Sequence, residues 1–146
     1  MENVDIAKIF NEISDLLEIK GENLFRVRSY RNAAMVIGSL PESLRSIVER
    51  DEKGIEDIPG IGKSIHEKIV EIIRTGKCKF HDELLKEMPP GVLELLEVAG
   101  VGPKKVQLLY NELGIQSIAG MEKAAKEGKL RDLPGMGEKT EEKILK

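Results

Sequence analysis

Aromatic residues are scarce in this chain of 146 residues, with three Phe, two Tyr and no Trp. A core must therefore be assembled from Ile, Leu, Val and Ala rather than from large rings. Cysteine occurs once, at Cys78, which excludes an internal disulfide and fits a reducing cytoplasm. No apolar run approaches membrane-spanning length, and the first residues are too polar and acidic for a signal peptide. The two histidines, His66 and His81, share no ligand spacing with Cys78 or with carboxylates, so both read as ordinary surface or boundary residues. Strand patterning is missing as well: β-branched residues fall singly at helical intervals and no period-two stretch persists. The fold class expected is all-α, with length enough for one or two small domains.

An excess of positive charge is also lacking. The net charge is −3 and the pI about 5.6, which argues against a polycation that holds nucleic acid by bulk attraction. The charge is unevenly placed, however. Glu2, Asp5, Glu12, Asp15, Glu18 and Glu22 make the first segment acidic, whereas Arg26, Arg28 and Arg31 follow closely. One basic face on an otherwise acidic body is the arrangement implied.

Ile6, Ile9, Phe10, Ile13, Leu16 and Leu17 recur at i, i+3, i+4, i+7 and predict a first amphipathic helix ending near Lys20-Gly21. A second helix is expected over 23–38, with Val27, Tyr30, Ala33, Ala34 and Ile37 inward. A third opens at Pro41 and runs through Val48, and residues 51–57 read as a charged connector. Helices over about 62–75 and 80–87 follow, the first stopped by Gly76. Met88-Pro89-Pro90-Gly91 cannot continue a helix and marks the boundary between segments 1–88 and 89–146. Beyond it come a short helix, one to about Leu113, one near 117–127, and a last one cut off at Lys146 after barely two turns. That ending is the pattern of a piece of a longer chain.

What is present in triplicate is a turn of two glycines around one apolar residue. It reads Ile58-Pro59-Gly60-Ile61-Gly62-Lys63, then Val98-Ala99-Gly100-Val101-Gly102-Pro103, then Leu133-Pro134-Gly135-Met136-Gly137-Glu138. Glycine allows a tight backbone turn and close approach of another chain. The amides of the turn and of the helix it launches lack partners and form an anion site that fits a phosphate. Lys63, Lys104, Lys105 and Lys139 stand at the helix starts. Three repeats imply a device that grips a phosphodiester backbone, although Glu138 weakens the third, which reads as partly a packing unit. The repeat resembles the helix-hairpin-helix motif, which holds the backbone of DNA without reading its bases.

The stretch Phe25-Arg26-Val27-Arg28-Ser29-Tyr30-Arg31-Asn32-Ala33-Ala34, followed by Ile58-Pro59-Gly60-Ile61-Gly62-Lys63-Ser64-Ile65-His66-Glu67-Lys68-Ile69, resembles the N-terminal domain of family X DNA polymerases, the polymerase beta-like group. The resemblance covers essentially the whole chain. It implies a lyase-like domain with the first hairpin over 1–88 and a second helical domain with the other two hairpins over 89–146. It further implies binding of gapped, nicked or 5′-phosphorylated DNA in base excision repair, by a monomeric cytoplasmic protein. Polymerase palm and PHP domains would follow in a longer parent chain. No Asp-x-Asp pair occurs, so no polymerase metal site lies in these residues.

The phosphate ligands implied are Arg26, Tyr30, Arg31, Gly60, Gly62, Lys63 and Ser64 in the first domain, with Gly100, Gly102, Lys104, Lys105, Gly135, Gly137 and Lys139 in the later hairpins. The same resemblance implies K⁺ or Na⁺ held with DNA by the backbone carbonyls of Glu56, Ile58 and Ile61, and of Leu96, Val98 and Val101. The position matching the family's Schiff-base nucleophile is Lys68. Such a lysine must lose its proton near neutral pH, which takes desolvation or neighbouring cations. Helical spacing puts Lys68 at the border of the Ile65–Ile69–Ile72 stripe, beside Ser64. Ser64 and Arg26 stand where eukaryotic lyase-competent members carry lysines, and the bland reading of Lys68 is a surface lysine paired with Glu71. Three readings stay open: a DNA-binding module, a 5′-deoxyribose phosphate lyase, and a protein-interaction module.

Overall fold

The computed structural model describes residues 2–98 and 101–133; Ala99 and Gly100 of the second turn, and the third hairpin from Pro134 with its final helix, lie outside them. Among the described residues the chain is all-α, with eight helices and no strand. The order is α1 (Asn3–Lys20), α2 (Leu24–Gly38), α3 (Leu44–Arg50), α4 (Lys63–Thr75), α5 (Lys79–Glu87), α6 (Pro90–Leu95), α7 (Pro103–Leu113) and α8 (Ile118–Lys126). Short 3₁₀ turns cover Glu52–Ile55 and Leu130–Asp132.

The chain divides into two units. One holds α1 as far as Leu17 together with Glu22–Leu84, and the other holds Glu18–Gly21 with the chain from Leu85 onward. In the first unit the apolar stripes read from the sequence turn inward. Phe10, Ile13 and Leu16 of α1, Ala33 and Ile37 of α2, and Ile69 and Ile72 of α4 are essentially inaccessible to water. Each large aliphatic or aromatic side chain so buried contributes roughly 1.5–3 kcal/mol against the entropy of ordering the chain. Asn3 fastens the start of α1 to the start of α3: its Nδ2 donates to the Glu42 carbonyl at 2.9 Å and its Oδ1 accepts from the Leu44 amide at 2.8 Å. Ser14, the one buried polar residue in that stripe, is satisfied by donating to the Asn11 carbonyl at 2.7 Å.

Two local expectations are corrected. The third helix begins at Leu44, not Pro41, because the Ser43 side chain caps it by accepting from the Ser46 amide. The segment after it is not a bare connector. The Asp51 side chain accepts from the Lys53 amide, starting a 3₁₀ turn that delivers Ile55 to the core.

In the second unit Val92 and Leu95 of α6, Val106 and Leu109 of α7, and Met121 of α8 share a core with Leu130. Pro90 sits at the first turn of α6, where its missing N–H costs nothing. A side chain on Gly91 would overlap the Gln116 carbonyl, so α6 is pressed against the connector before α8.

Cys78 is buried, and burial pushes its thiol up from the ordinary range. A buried, protonated thiol is a poor nucleophile. Native protein is therefore expected to resist an aromatic disulfide reagent at pH 8 and to release one equivalent of chromophore only on unfolding in guanidinium. Full reaction without denaturant would contradict this packing.

Candidate nucleic-acid interface

The first hairpin turn is built by backbone bonds. The amide of Ile58 donates to Ile55, that of Ile61 to Ile58 (3.1 Å), and that of His66 to Gly62 (2.9 Å). Gly60 has φ +90, a conformation that L side chains rarely adopt, and a Cβ there would lie 2.9 Å from Asn32 Nδ2 and 3.2 Å from Val36 Cγ2. The fold itself therefore demands glycine at this position.

Gly62 is different. It is the N-cap of α4 with an extended backbone (φ −84, ψ 174), and a Cβ there would meet no atom within 4 Å. Neither backbone strain nor packing accounts for glycine here. Without a side-chain cap, the first-turn amides of Lys63, Ser64 and Ile65 have no acceptor among the described residues. These amides and the positive end of the helix form a seat for an anion.

The second hairpin repeats the same bonds forty residues on. The amide of Val98 donates to Leu95, that of Val101 to Val98 (3.0 Å), and that of Val106 to Gly102 (3.0 Å). Gly102 caps α7 with φ −96 and ψ 179, without a side-chain cap and with open space around its missing Cβ. Pro103 opens this helix, so the second seat has one amide fewer, and Lys104 and Lys105 follow directly. Gly100, Gly135, Gly137 and Lys139 lie outside the described residues.

Beside the first hairpin lies a cleft of about 650 Å³ between α2 and the start of α4. Arg26, Tyr30, Gly60, Gly62, Lys63 and Ser64 all line it, together with Phe25 and Asn32. Tyr30 is only 3% exposed, stacked between Phe10 (ring centroids 6.0 Å) and Phe80 (5.9 Å). The Arg26 guanidinium lies 5.0 Å from the centroid of Phe80.

Lys68 is half-buried and donates to Ser64 Oγ at 3.0 Å. Its Nζ lies 5.2 Å from the Phe80 centroid and 5.8 Å from that of Tyr30. It does not line the main cleft. It borders a smaller one of about 370 Å³ with Glu67, Glu71, Lys79, Phe80 and Glu83. Pairing with Glu71 does not occur; that carboxylate accepts instead from the Lys79 amide at 3.1 Å. Arg31 is not brought into the cleft either, since its guanidinium meets Asp15 of α1 at 3.3 Å.

The histidines are boundary residues whose side chains are mostly covered. His81 Nε2 meets Glu12 Oε2 at 2.7 Å, and His66 Nδ1 lies 3.0 Å from Glu56 Oε1 of the segment that leads into its own hairpin, without a hydrogen bond between them. No cluster of three or more His, Cys, Asp or Glu side chains that could hold a metal occurs among the described residues. The sequence reading missed Phe25 and Asn32 as residues of the main cleft and Phe80 as a residue of the smaller one. For the two rings the signal was scarcity: four of the five aromatics, all but Tyr110, gather at these two clefts or under their floor.

Two uncapped, glycine-gated helix starts with matching bonds define a helix-hairpin-helix protein. The helix-hairpin-helix domain family matches residues 1–78, and the SAM-like helix-hairpin-helix tandem family matches 92–146. The chain belongs to the helix-hairpin-helix domain family. It is also similar to the N-terminal region of family X DNA polymerases. It is 37% identical over 145 residues to the DNA polymerase/3′-5′ exonuclease PolX of Bacillus subtilis (strain 168), a match covering 99% of this chain and 25% of that protein. To DNA polymerase lambda of Arabidopsis thaliana it is 31% identical over 111 residues, 75% of this chain and 20% of that one. The chain thus spans a quarter or less of the length of these relatives.

Proposed function

We propose that this chain holds DNA by its phosphates, independently of base sequence, and that it prefers a gap or nick bearing a 5′-phosphate, as the binding region of a family X polymerase in repair synthesis. The observation that carries this is the pair Gly62 and Gly102. Both are glycines that the fold does not require, and each stands over helix-start amides open to an anion. Beyond a modest N-cap preference, a ligand that must come close to the backbone gives them a purpose. Two seats forty residues apart suit a polymer of phosphates better than a single small anion. The cleft beside the first seat adds Arg26 and Lys63, a set suited to a terminal phosphate.

A monovalent cation fits the same reading. In the first hairpin the carbonyls of Glu56 and Ile61 accept from no neighbouring amide, while that of Ile58 accepts from Ile61. Hard neutral oxygens of this kind suit K⁺ or Na⁺ shared with a DNA phosphate. Leu96, Val98 and Val101 are the matching carbonyls of the second copy.

One titration tests these points together. Random-sequence duplexes that are intact, nicked, gapped with a 5′-hydroxyl, or gapped with a 5′-phosphate are bound at several concentrations of KCl and of LiCl. Tightest binding to the phosphorylated gap, indifference to base sequence, and weaker binding in LiCl at equal ionic strength are expected. Equal affinity for all four duplexes would overturn the gap preference. Absence of binding at low salt would favour a protein-interaction module instead.

A second reading, removal of a 5′-deoxyribose phosphate by a Schiff base on Lys68, is favoured by one observation. The Lys68 amine is bonded to Ser64 Oγ, itself a lining residue of the phosphate cleft.

A further inference from the structure

We propose that Phe80, which lines the smaller cleft with Lys68, is a positioning residue for the neighbouring phosphate cleft: its ring holds the Arg26 guanidinium, which lines the phosphate cleft, and the Lys68 ammonium near one another as a pre-assembled cationic seat for the 5′-phosphate. This rests on the reading of that cleft as a phosphate site.

Both cations lie close to one ring, 5.0 Å and 5.2 Å from its centroid, and so no further apart than the sum of those distances. Neither is neutralised by an ion pair with a carboxylate among the described residues. Lys68 donates to a hydroxyl, and the three acids that share the smaller cleft with it, Glu67, Glu71 and Glu83, line that cleft without pairing to it. Two cations without a paired carboxylate, held near each other, repel, and such an arrangement is stabilised by an anion between or before them. In the unliganded protein the partial negative charge of the ring face offsets part of that repulsion.

The ring is also held firmly enough to position its neighbours. Phe80 stacks on Tyr30 at an interplanar angle of 28°, and Tyr30 stacks on Phe10, which is inaccessible to water. The stack Phe10–Tyr30–Phe80 thus runs from the core to the half-exposed place where both cations rest. An aliphatic residue at position 80 would keep apolar contact with Tyr30 but offer no quadrupole to the charges.

The test compares Phe80→Leu, Phe80→Tyr and Phe80→Trp with the parent. The first readout needs no DNA: the ε-methylene protons of Lys68, assigned by NMR, should lie upfield from ring current in the parent. They should move toward the free-lysine position in Phe80→Leu and stay upfield in the Tyr and Trp variants. The second is the ratio of affinities for gaps with a 5′-phosphate and a 5′-hydroxyl. It should fall about five-fold in Phe80→Leu, about 1 kcal/mol, and be kept or raised by Trp. Circular dichroism establishes that each variant is folded, and the Tyr and Trp variants keep the test decisive should Leu fail to fold. If the parent itself shows no preference for the 5′-phosphate, the reading of the cleft fails. If the parent shows it and Phe80→Leu retains both it and the Lys68 shift, or Trp behaves like Leu, the role of Phe80 is overturned.

Discussion

Replacing Gly62 and Gly102 together by alanine is expected to weaken DNA binding by about a thousand-fold while leaving the protein as stable as before. The two parts of this expectation have separate causes. Each new methyl group would stand over helix-start amides that have no acceptor within the protein, and would hold a phosphate away from them. A hydrogen bond to a charged group is worth roughly 1.5–3 kcal/mol, so losing one per hairpin costs about ten- to a hundred-fold. The two sites are independent enough for these losses to add. Stability is a different matter. Neither glycine has a φ that alanine avoids, and neither Cβ would meet an atom within 4 Å. Gly→Ala at a compatible backbone reduces the entropy of the unfolded chain, worth ~0.4–1 kcal/mol, which offsets the modest loss of N-cap preference. A melting temperature within about 2 °C of the parent is the expected result.

Gly60→Ala supplies the contrast. With φ +90 and Asn32 and Val36 in the way, it should destabilise by about 1–3 kcal/mol and lower the melting temperature by several degrees. Filter binding or fluorescence anisotropy with thermal melts on all three proteins decides the matter. A double Gly62/Gly102 variant that binds DNA as the parent does would remove the main support for phosphate seats at these turns.

Much of this was legible before any coordinates, and the exceptions share a cause. Helices form where one face is apolar, and that pattern is local. Val27, Tyr30, Ala33, Ala34 and Ile37, read as the inner face of the second helix, are the residues α2 buries. The first two hairpins were legible too, because glycine around an apolar residue is a backbone instruction contained in six positions. What failed depended on partners far along the chain. Arg31 shares a helix with Arg26, and only the packing of α1 against α2 shows that it meets Asp15 and not the cleft. His81 and Glu12 are 69 positions apart, so their contact left no trace in local spacing. Phe80 was passed over because a single ring in a short, charged helix resembles a core anchor. The division between Gly60, which the fold needs, and Gly62, which it does not, lies in φ and in the space around a missing Cβ. Neither is written in the letters Gly-Ile-Gly.

Lys68→Ala is expected to abolish borohydride trapping of an incised abasic substrate and to leave affinity for gapped DNA within a few-fold of the parent. A Schiff base forms when a neutral amine attacks C1′ of the open sugar and water leaves; borohydride then reduces the imine to a stable amine. The Lys68 Nζ is held half-buried against Ser64 Oγ at 3.0 Å and near the rings of Tyr30 and Phe80, so its reach toward a sugar in the adjoining cleft is short and its wandering restricted. Removing it deletes the nucleophile outright. Most of the binding, by contrast, relies on the amides of α4 and α7, on Arg26 and on Lys63, all of which remain, so that losing the Lys68 cation from the 5′-phosphate seat costs only about the five-fold expected of Phe80→Leu. Arg26→Ala should act the other way, lowering affinity for the 5′-phosphate and trapping together. Arg31→Ala should do little to either, because its guanidinium is engaged with Asp15. Lys63→Ala distinguishes the remaining amine of the cleft, which is exposed and lines the phosphate seat. If Lys68→Ala traps substrate as well as the parent and Lys63→Ala does not, the nucleophile is Lys63. If neither variant changes trapping, the amine lies elsewhere, with the chain's N-terminus the next to block.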